Sequence, residues 1–240
     1  MKELFGRVRF IAFDADDTLW VNEPYFRIAE EEYCRTLERF APKDEIISSL
    51  YKVEMKNLAP YGYGAKAFTL SLMETAIMLS GNNPSASQLT PAEMGKIIEI
   101  GTSLLNVPME ILPGVEELLE KLQKSQQYTL VLATKGDLLD QQRKLIRSGL
   151  EKYFSHIEVM SNKEEKDYTA LLAKLGCSGS EFLMIGNSMK SDILPVLEIG
   201  GNAIYIPFHS TWEHEKVEGE ISHPNLYETV SCNTLLRVLK

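Results

Sequence analysis

Apolar positions fall into two patterns along this chain. Short, nearly continuous runs at residues 8–13, 128–133 (YTLVLA), 157–160 (IEVM), 182–185 (FLMI) and 203–206 (AIYI) have the length of strands buried on both faces. Between the last four, the spacing turns helical. Leu138, Leu139, Gln142, Leu145 and Ile146 step by three and four and stop before Gly149. Tyr168, Leu171, Leu172 and Leu175 repeat the pattern and stop at Gly176. Strands alternating with helices of about three turns predict βαβ units and a parallel sheet.

The stretch from Glu23 to Val107 breaks that alternation. It carries no strand pattern but predicts helices over 25–40, 44–57, 66–79 and 91–105. Pro42, Pro60-Tyr61-Gly62-Tyr63-Gly64 and Gly81-Asn82-Asn83-Pro84 separate them. An all-helical block between the first and second strands of a parallel sheet reads as an inserted domain. The sheet pattern resumes after Leu112-Pro113-Gly114-Val115 with a helix over 115–123, and 234–240 predicts a short amphipathic helix covering the sheet. The expected architecture is α/β: a Rossmann-like parallel-sheet core from residues 1–22 and 108–240, with an inserted α-helical domain at 23–107.

Composition narrows the function classes. The chain is 44% hydrophobic and 25% charged over 240 residues, which excludes collagen-like, low-complexity and broadly disordered classes. A net charge of −9 argues against a nucleic-acid partner, whose affinity rests on Lys and Arg neutralising phosphates. A small phosphorylated substrate is still compatible, because a bound metal inverts the local field. Cys34, Cys177 and Cys232 have no CxxC spacing, so neither a zinc site nor a redox motif is signalled, and a reduced, cytoplasmic setting is expected. No segment approaches the ~20 apolar residues of a membrane helix. The run Phe10-Ile11-Ala12-Phe13 is too short for a signal peptide and ends in acid. No membrane partner is expected, and a monomer is the default.

Four places carry candidate chemistry. Asp14 and Asp16 follow the first strand directly; residues i and i+2 of extended backbone point to one side, ~7 Å apart, and Asp17 points elsewhere. Carboxylates at the C-terminal end of a parallel strand face the crevice where α/β folds bind ligands. Burying such acids unpaired costs several kcal/mol per charge, so a metal or a cationic side chain is expected beside them. A polar strand-to-loop turn is the plainer reading. An EF-hand loop is excluded: Leu19 stands where its turn Gly belongs and Tyr25 where its bidentate Glu belongs. Thr134, followed by Lys135-Gly136, can offer an anion a hydroxyl and backbone donors, or merely form a turn. Lys163 can neutralise a carboxylate or phosphoryl oxygen, with Lys166 as the alternative, or simply lie on the surface. In GNSMKSD, Gly186 permits a sharp turn, and Asn187, Ser188 and Asp192 place oxygens around it.

Taken together and in this order, an acid pair (DADDT), a hydroxyl (LVLAT), a lysine and a further acid (GNSMKSD) at successive strand ends resemble the haloacid dehalogenase superfamily of hydrolases. The likeness spans essentially the whole chain, and the helical block resembles that superfamily's type-1 cap. Two residues depart from the usual pattern: Asp17 stands for the frequent Gly, and Asn187 for the first Asp of the last motif. The resemblance implies an Mg²⁺-dependent phosphatase acting on a small phosphorylated metabolite through an aspartyl-phosphate. Asp14 would be the nucleophile, Asp16 the general acid and base, and Thr134 and Lys163 the holders of the phosphoryl group, with Thr18, Lys135 and Gly136 also meeting the substrate. Asp14, Asp16, Asn187 and Asp192 would hold Mg²⁺. A phosphomutase, a haloacid dehalogenase and a non-catalytic phospho-ligand binder are the alternatives on that fold. Dehalogenases lack a second acid at the position of Asp16. A receiver-type phospho-acceptor module has a different order of motifs and no helical insertion. Lys66, in the Tyr61–Lys66 segment YGYGAK, is the expected cap contact to the leaving group, unless that segment only caps a helix. His209 and His214 lack a third metal ligand at a suitable spacing, so a structural or surface role is expected for their loop, with Trp212 against the sheet edge.

Overall fold

The computed structural model describes residues 6–82, 88–219 and 221–238. The predicted break at Asn83-Pro84 and the last two residues of the predicted C-terminal helix lie outside them. The chain divides into two compact units, Met1–Glu23 with Met109–Lys240, and Pro24–Pro108.

The first unit is built on β1 (Phe10–Phe13), β2 (Thr129–Lys135), β3 (His156–Met160), β4 (Phe182–Gly186), β5 (Asn202–Tyr205) and β6 (Leu226–Glu228). They lie in the order β3-β2-β1-β4-β5-β6, every neighbouring pair parallel. The helices are α1 (Glu23–Leu37), α2 (Lys43–Tyr61), α3 (Ala65–Asn82), α4 (Pro91–Ser103), α5 (Val115–Ser125), α6 (Leu138–Ser148), α7 (Glu165–Leu175), α8 (Leu194–Glu198) and α9 (Cys232–Val238). β6 has only three residues, none fully buried, so it leaves no apolar run to read. Its pairing with β5 creates it.

Alternation along the strands sorts two cores. Ile11, Phe13, Leu130, Leu132, Leu183 and Ile185 pack with Leu118 and Leu119 of α5 and Leu235 of α9 on one face. Phe10, Ala12, Val131, Ala133, Phe182 and Met184 pack with Tyr168 and Leu171 of α7 and Val196 of α8 on the other. Period-2 alternation with both faces covered is why the central strands read as unbroken apolar runs. α9 lies against α5, with Lys121 Nζ donating to Leu236 O at 3.3 Å.

The chain runs from β1 to β2 and β3 on one side, then returns to β4 on the other side of β1. The strand order therefore reverses at the β1/β4 pair, where an open parallel sheet leaves a crevice at the carboxyl ends of its strands. Phe13 stands opposite Leu132 and Ile185, so Asp14 leaves the sheet level with the end of β4, while β2 runs on beside it to Lys135.

The second unit is helical. Its core joins Tyr33, Leu37, Ile46, Leu50, Phe68, Leu72, Ile97 and Ile100. The Tyr33 hydroxyl donates to Leu72 O at 2.7 Å. Thr90 and Glu93 close a capping box ahead of α4, with Pro91 in its first turn.

One helix differs from its sequence pattern. α6 forms as predicted, but Leu138, Leu139 and Ile146 are 57%, 46% and 62% exposed. The buried stripe is Asp140, Gln141, Lys144 and Leu145. A polar stripe faces inward because it meets an acid there.

Candidate active site

Asp14 opens the site. Its N–H still donates to Ile185 O at 2.9 Å, and the chain then turns tightly, with Leu19 N–H donating to Ala15 O at 2.8 Å. Asp17 sits in the left-handed region at φ 62°, which Asp tolerates better than most residues. Its carboxylate accepts from the backbone N–H groups of Asn22 at 2.8 Å and Glu23 at 3.0 and 3.1 Å, capping the start of α1. That cap offsets the cost of a non-glycine residue at this turn.

Lys163 is buried at the centre. Its Nζ donates to Asp14 Oδ1 at 2.5 Å and to Asp192 Oδ1 at 2.6 Å. Lys166 is 73% exposed at the side chain and pairs with Glu164 at 2.7 Å, so the structure selects Lys163. Burial works against the Lys163 ammonium, but Asp14 and Asp192 outweigh it and hold its pKa well above the ordinary value. For Asp14, burial dominates and pushes the carboxyl up to about 7, opposed by Lys163 and assisted by Asp192. The hydroxyl of Tyr168, five residues on, donates to Ser191 O at 3.0 Å and ties α7 to the last motif.

Asp192, an expected metal ligand, is held from two sides. Besides Lys163, its carboxylate accepts the Ser188 N–H at Oδ2, 2.9 Å away. Lys163 stands between the Asp14 and Asp192 carboxylates, and the oxygens of both keep lone pairs beyond the one each gives to the ammonium. Gly186 makes this packing possible: a Cβ there would fall 2.3 Å from Asp192 Oδ2.

Asp14 Oδ2, the Asp16 carbonyl and the Asn187 amide converge nearby. With its nitrogen inward, Asn187 donates to Thr18 Oγ1 at 3.0 Å, Asp14 Oδ2 at 3.2 Å and Asp16 O at 3.2 Å. With its oxygen inward, the amide accepts from the Thr18 hydroxyl at 3.0 Å and presents a third oxygen to the other two. Thr18 also donates to Asp14 Oδ2 at 3.2 Å, so this hydroxyl, expected at the substrate, braces the Asp14 carboxylate.

The Asp16 carboxylate has a different set of partners. Trp20 Nε1 donates to Oδ1 at 2.7 Å and Gln141 Nε2 to Oδ2 at 2.8 Å. Lys144 Nζ lies 3.1 and 3.2 Å from the two oxygens. None of the three is evident from the sequence, where Gln141 and Lys144 look like the polar side of an amphipathic helix.

Thr134 is buried at the end of β2. Two expected substrate contacts beyond it are otherwise engaged. Lys135 pairs with Glu215 and donates to Ser191 Oγ at 2.9 Å. The Gly136 N–H donates to Met160 O at 3.3 Å, at a φ of 142° that favours glycine. Both are drawn into the fold, because a buried ammonium or N–H takes the nearest acceptor. Lys66 belongs to the helical unit, near the start of α3, where it lines a cavity of about 270 Å³ with Thr69, Leu70, Thr102 and Leu105.

The loop after β5 supplies Glu215, which the sequence reading passed over. Its carboxylate pairs with Lys135 and accepts from the hydroxyls of Ser188 and Ser191, the latter at 2.6 Å. The Trp212 and His214 rings meet at a tilt of 53° with centroids 5.0 Å apart, and those of Phe208 and His209 at 43° and 4.2 Å. Among the described residues no cluster of three His, Cys, Asp or Glu is placed to hold a metal.

Burial would raise the Glu215 carboxyl, but the Lys135 charge and the three donors bring it from 4.5 down to about 2. A depressed folded pKa gives stability that is present above 4.5 and lost as the pH falls toward about 2. Glu215→Gln is therefore expected to cost on the order of 3 kcal/mol at neutral pH. Its urea-unfolding free energy should meet that of the parent near the acid end, and parallel curves from neutral pH to about pH 2 would refute this role.

A sequence model of haloacid dehalogenase-like hydrolases matches residues 8–200. Among solved structures, a haloacid dehalogenase-like family hydrolase from Xanthomonas campestris is 36% identical, with 97% of this chain and 92% of that one covered and a TM-score of 0.84. A HAD phosphatase from Thermococcus onnurineus (19% identity, 97% and 98% covered, TM-score 0.61) shares the fold. So does a 2-haloacid dehalogenase from Pseudomonas syringae pv. Tomato (20% identity, 97% and 98% covered, TM-score 0.61). No curated protein matches the chain.

Proposed function

Because this chain belongs to the haloacid dehalogenase-like hydrolase family, we propose that it is a phosphatase, hydrolysing a small phosphate monoester through a phosphorylated Asp14. The carrying observation is the Asp16 carboxylate, two residues past the nucleophile and gripped by Trp20, Gln141 and Lys144. A halide leaves without a proton, so a haloacid substrate gives Asp16 nothing to do. An ester oxygen needs one.

An Asp14 oxygen attacks phosphorus while Asp16, as the acid, gives its proton to the departing ester oxygen. The phosphorus–oxygen bond to the leaving group breaks as the bond to Asp14 forms. Asp16, now a carboxylate, takes a proton from water that attacks the same phosphorus, releasing phosphate and restoring Asp14. Lys163 and Thr134 hold phosphoryl oxygens and hydrogen-bond the charge that spreads over them.

The family generally uses a divalent cation, usually Mg²⁺, and the residues present fit one. The Asn187 amide lies 3.2 Å from Asp14 Oδ2 and 3.2 Å from Asp16 O, and octahedral oxygen ligands ~2.1 Å from Mg²⁺ lie about 3 Å from one another. Asp14, the Asp16 carbonyl and Asn187 would hold it, with the charge of Asp192 beside them. When bound, it offsets the repulsion between an anionic nucleophile and an anionic ester.

Phosphate release from a panel of alkyl, sugar and aryl phosphates, measured beside halide release from 2-haloacids, tests this reading. Turnover of at least one ester with Mg²⁺, abolished by a chelator and restored by Mg²⁺, is expected. Halide release indifferent to the chelator, with every ester untouched, would overturn it.

A further inference from the structure

The inward polar stripe of α6 has a cost that the fold alone does not explain. Lys144 is 5% exposed and Gln141 3%, whereas Leu138, Leu139 and Ile146 on the same helix face solvent. Turning a helix this way forgoes the burial of three large aliphatic side chains, each worth ~1.5–3 kcal/mol when fully buried. The buried groups converge on one acid. Gln141 Nε2 and Lys144 Nζ, one helical turn apart, both reach the Asp16 carboxylate, and Trp20 Nε1 closes its remaining side.

Lys144 is itself fixed from behind. Asn22 Oδ1 accepts its proton at 2.8 Å, and Asp140 Oδ2 stands 3.8 Å away on the preceding turn of α6. Asn22 also gives its backbone N–H to Asp17, so the ammonium is anchored to the turn that carries the acid pair.

We propose that Lys144, seconded by Gln141, is a positioning residue for Asp16, holding its carboxyl group where the ester oxygen departs. This rests on the phosphatase reading. Lys144 does not touch substrate; it sets the position from which Asp16 transfers a proton. Gln141 Oε1 is buried without a hydrogen-bond partner.

The test is leaving-group dependence, because a displaced acid handicaps poor leaving groups and spares good ones. Parent, Lys144→Met and Gln141→Leu are compared by kcat/KM, which reports the step that phosphorylates Asp14, on an alkyl phosphate and on 2,4-dinitrophenyl phosphate. General-acid assistance contributes ~10²–10⁴-fold. Lys144→Met is expected to lose about 30-fold or more on the alkyl ester and several-fold at most on the dinitrophenyl ester. Gln141→Leu should shift the same ratio by less. If both substrates fall by the same factor in both variants, the pair is merely structural and the proposal fails. Lys144→Met failing to fold leaves the decision to Gln141→Leu, whose unchanged ratio would refute it. A parent protein inert to every phosphate ester would instead overturn the phosphatase reading, and this inference with it.

Discussion

Asp14→Asn is expected to reduce ester hydrolysis by at least about 10⁴-fold while leaving a folded protein. Removing a covalent nucleophile deletes the reaction path rather than weakening it, and losses of ~10⁴–10⁶ are typical for residues that act as a unit. The fold should tolerate the change. Lys163 keeps Asp192 at 2.6 Å as its counter-charge, and the amide oxygen can still accept from Lys163 and the amide group can meet Thr18. Burial already disfavours the Asp14 charge, so losing it removes a desolvation cost along with the attraction to Lys163. Acid-quenched parent enzyme should carry phosphate on Asp14 by mass spectrometry, and the variant none. Activity within tenfold of the parent, or phosphate found on another residue, would remove Asp14 from its role.

The second large effect concerns stability. Lys163→Met leaves Asp14 and Asp192, 7% and 1% exposed, facing one another without the ammonium between them. Breaking a buried ion pair from one side costs ~3–5 kcal/mol, because the remaining charges are uncompensated. At roughly 2–4 °C per kcal/mol for a domain of this size, Tm should fall by about 10 °C. Mg²⁺ should recover part of the loss in the variant, since a cation held by Asp14 and Asn187 supplies the missing positive charge. Differential scanning calorimetry with and without Mg²⁺ checks both statements without needing a substrate. A Tm within two or three degrees of the parent would mean that the two acids are not held as a charged pair by Lys163. Hydrolysis should also fail, since the proposed role of Lys163 is to hold a phosphoryl oxygen.

Five of the six strands were legible as apolar runs, because strands covered on both faces have no polar alternation to disguise them. β6 was not, since three half-exposed residues acquire strand geometry only from β5 beside them. The site divides the same way. Asp14, Thr134, Lys163 and Asp192 announce themselves because each follows a readable strand, and chain order places them at one end of the sheet. Trp20, Gln141, Lys144 and Glu215 do not. Their positions depend on how α6 is rotated and where the loop after β5 comes to rest.

The amino-acid order by itself determined the alternation of strand and helix, the helical insertion and the succession of acid, hydroxyl, lysine and acid at the strand ends, because periodicity and nearest-neighbour chemistry are local properties. Only tertiary structure decided that Lys163 rather than Lys166 enters the site, that Lys135 pairs with Glu215, and that α6 buries its polar stripe. Each was a choice between a solvated charge and a distant counter-charge, and the partners are 29, 80 and 128 residues apart in the chain. Electrostatic pairing across such separations leaves no period in the sequence; it exists only once the sheet has brought the strand ends together.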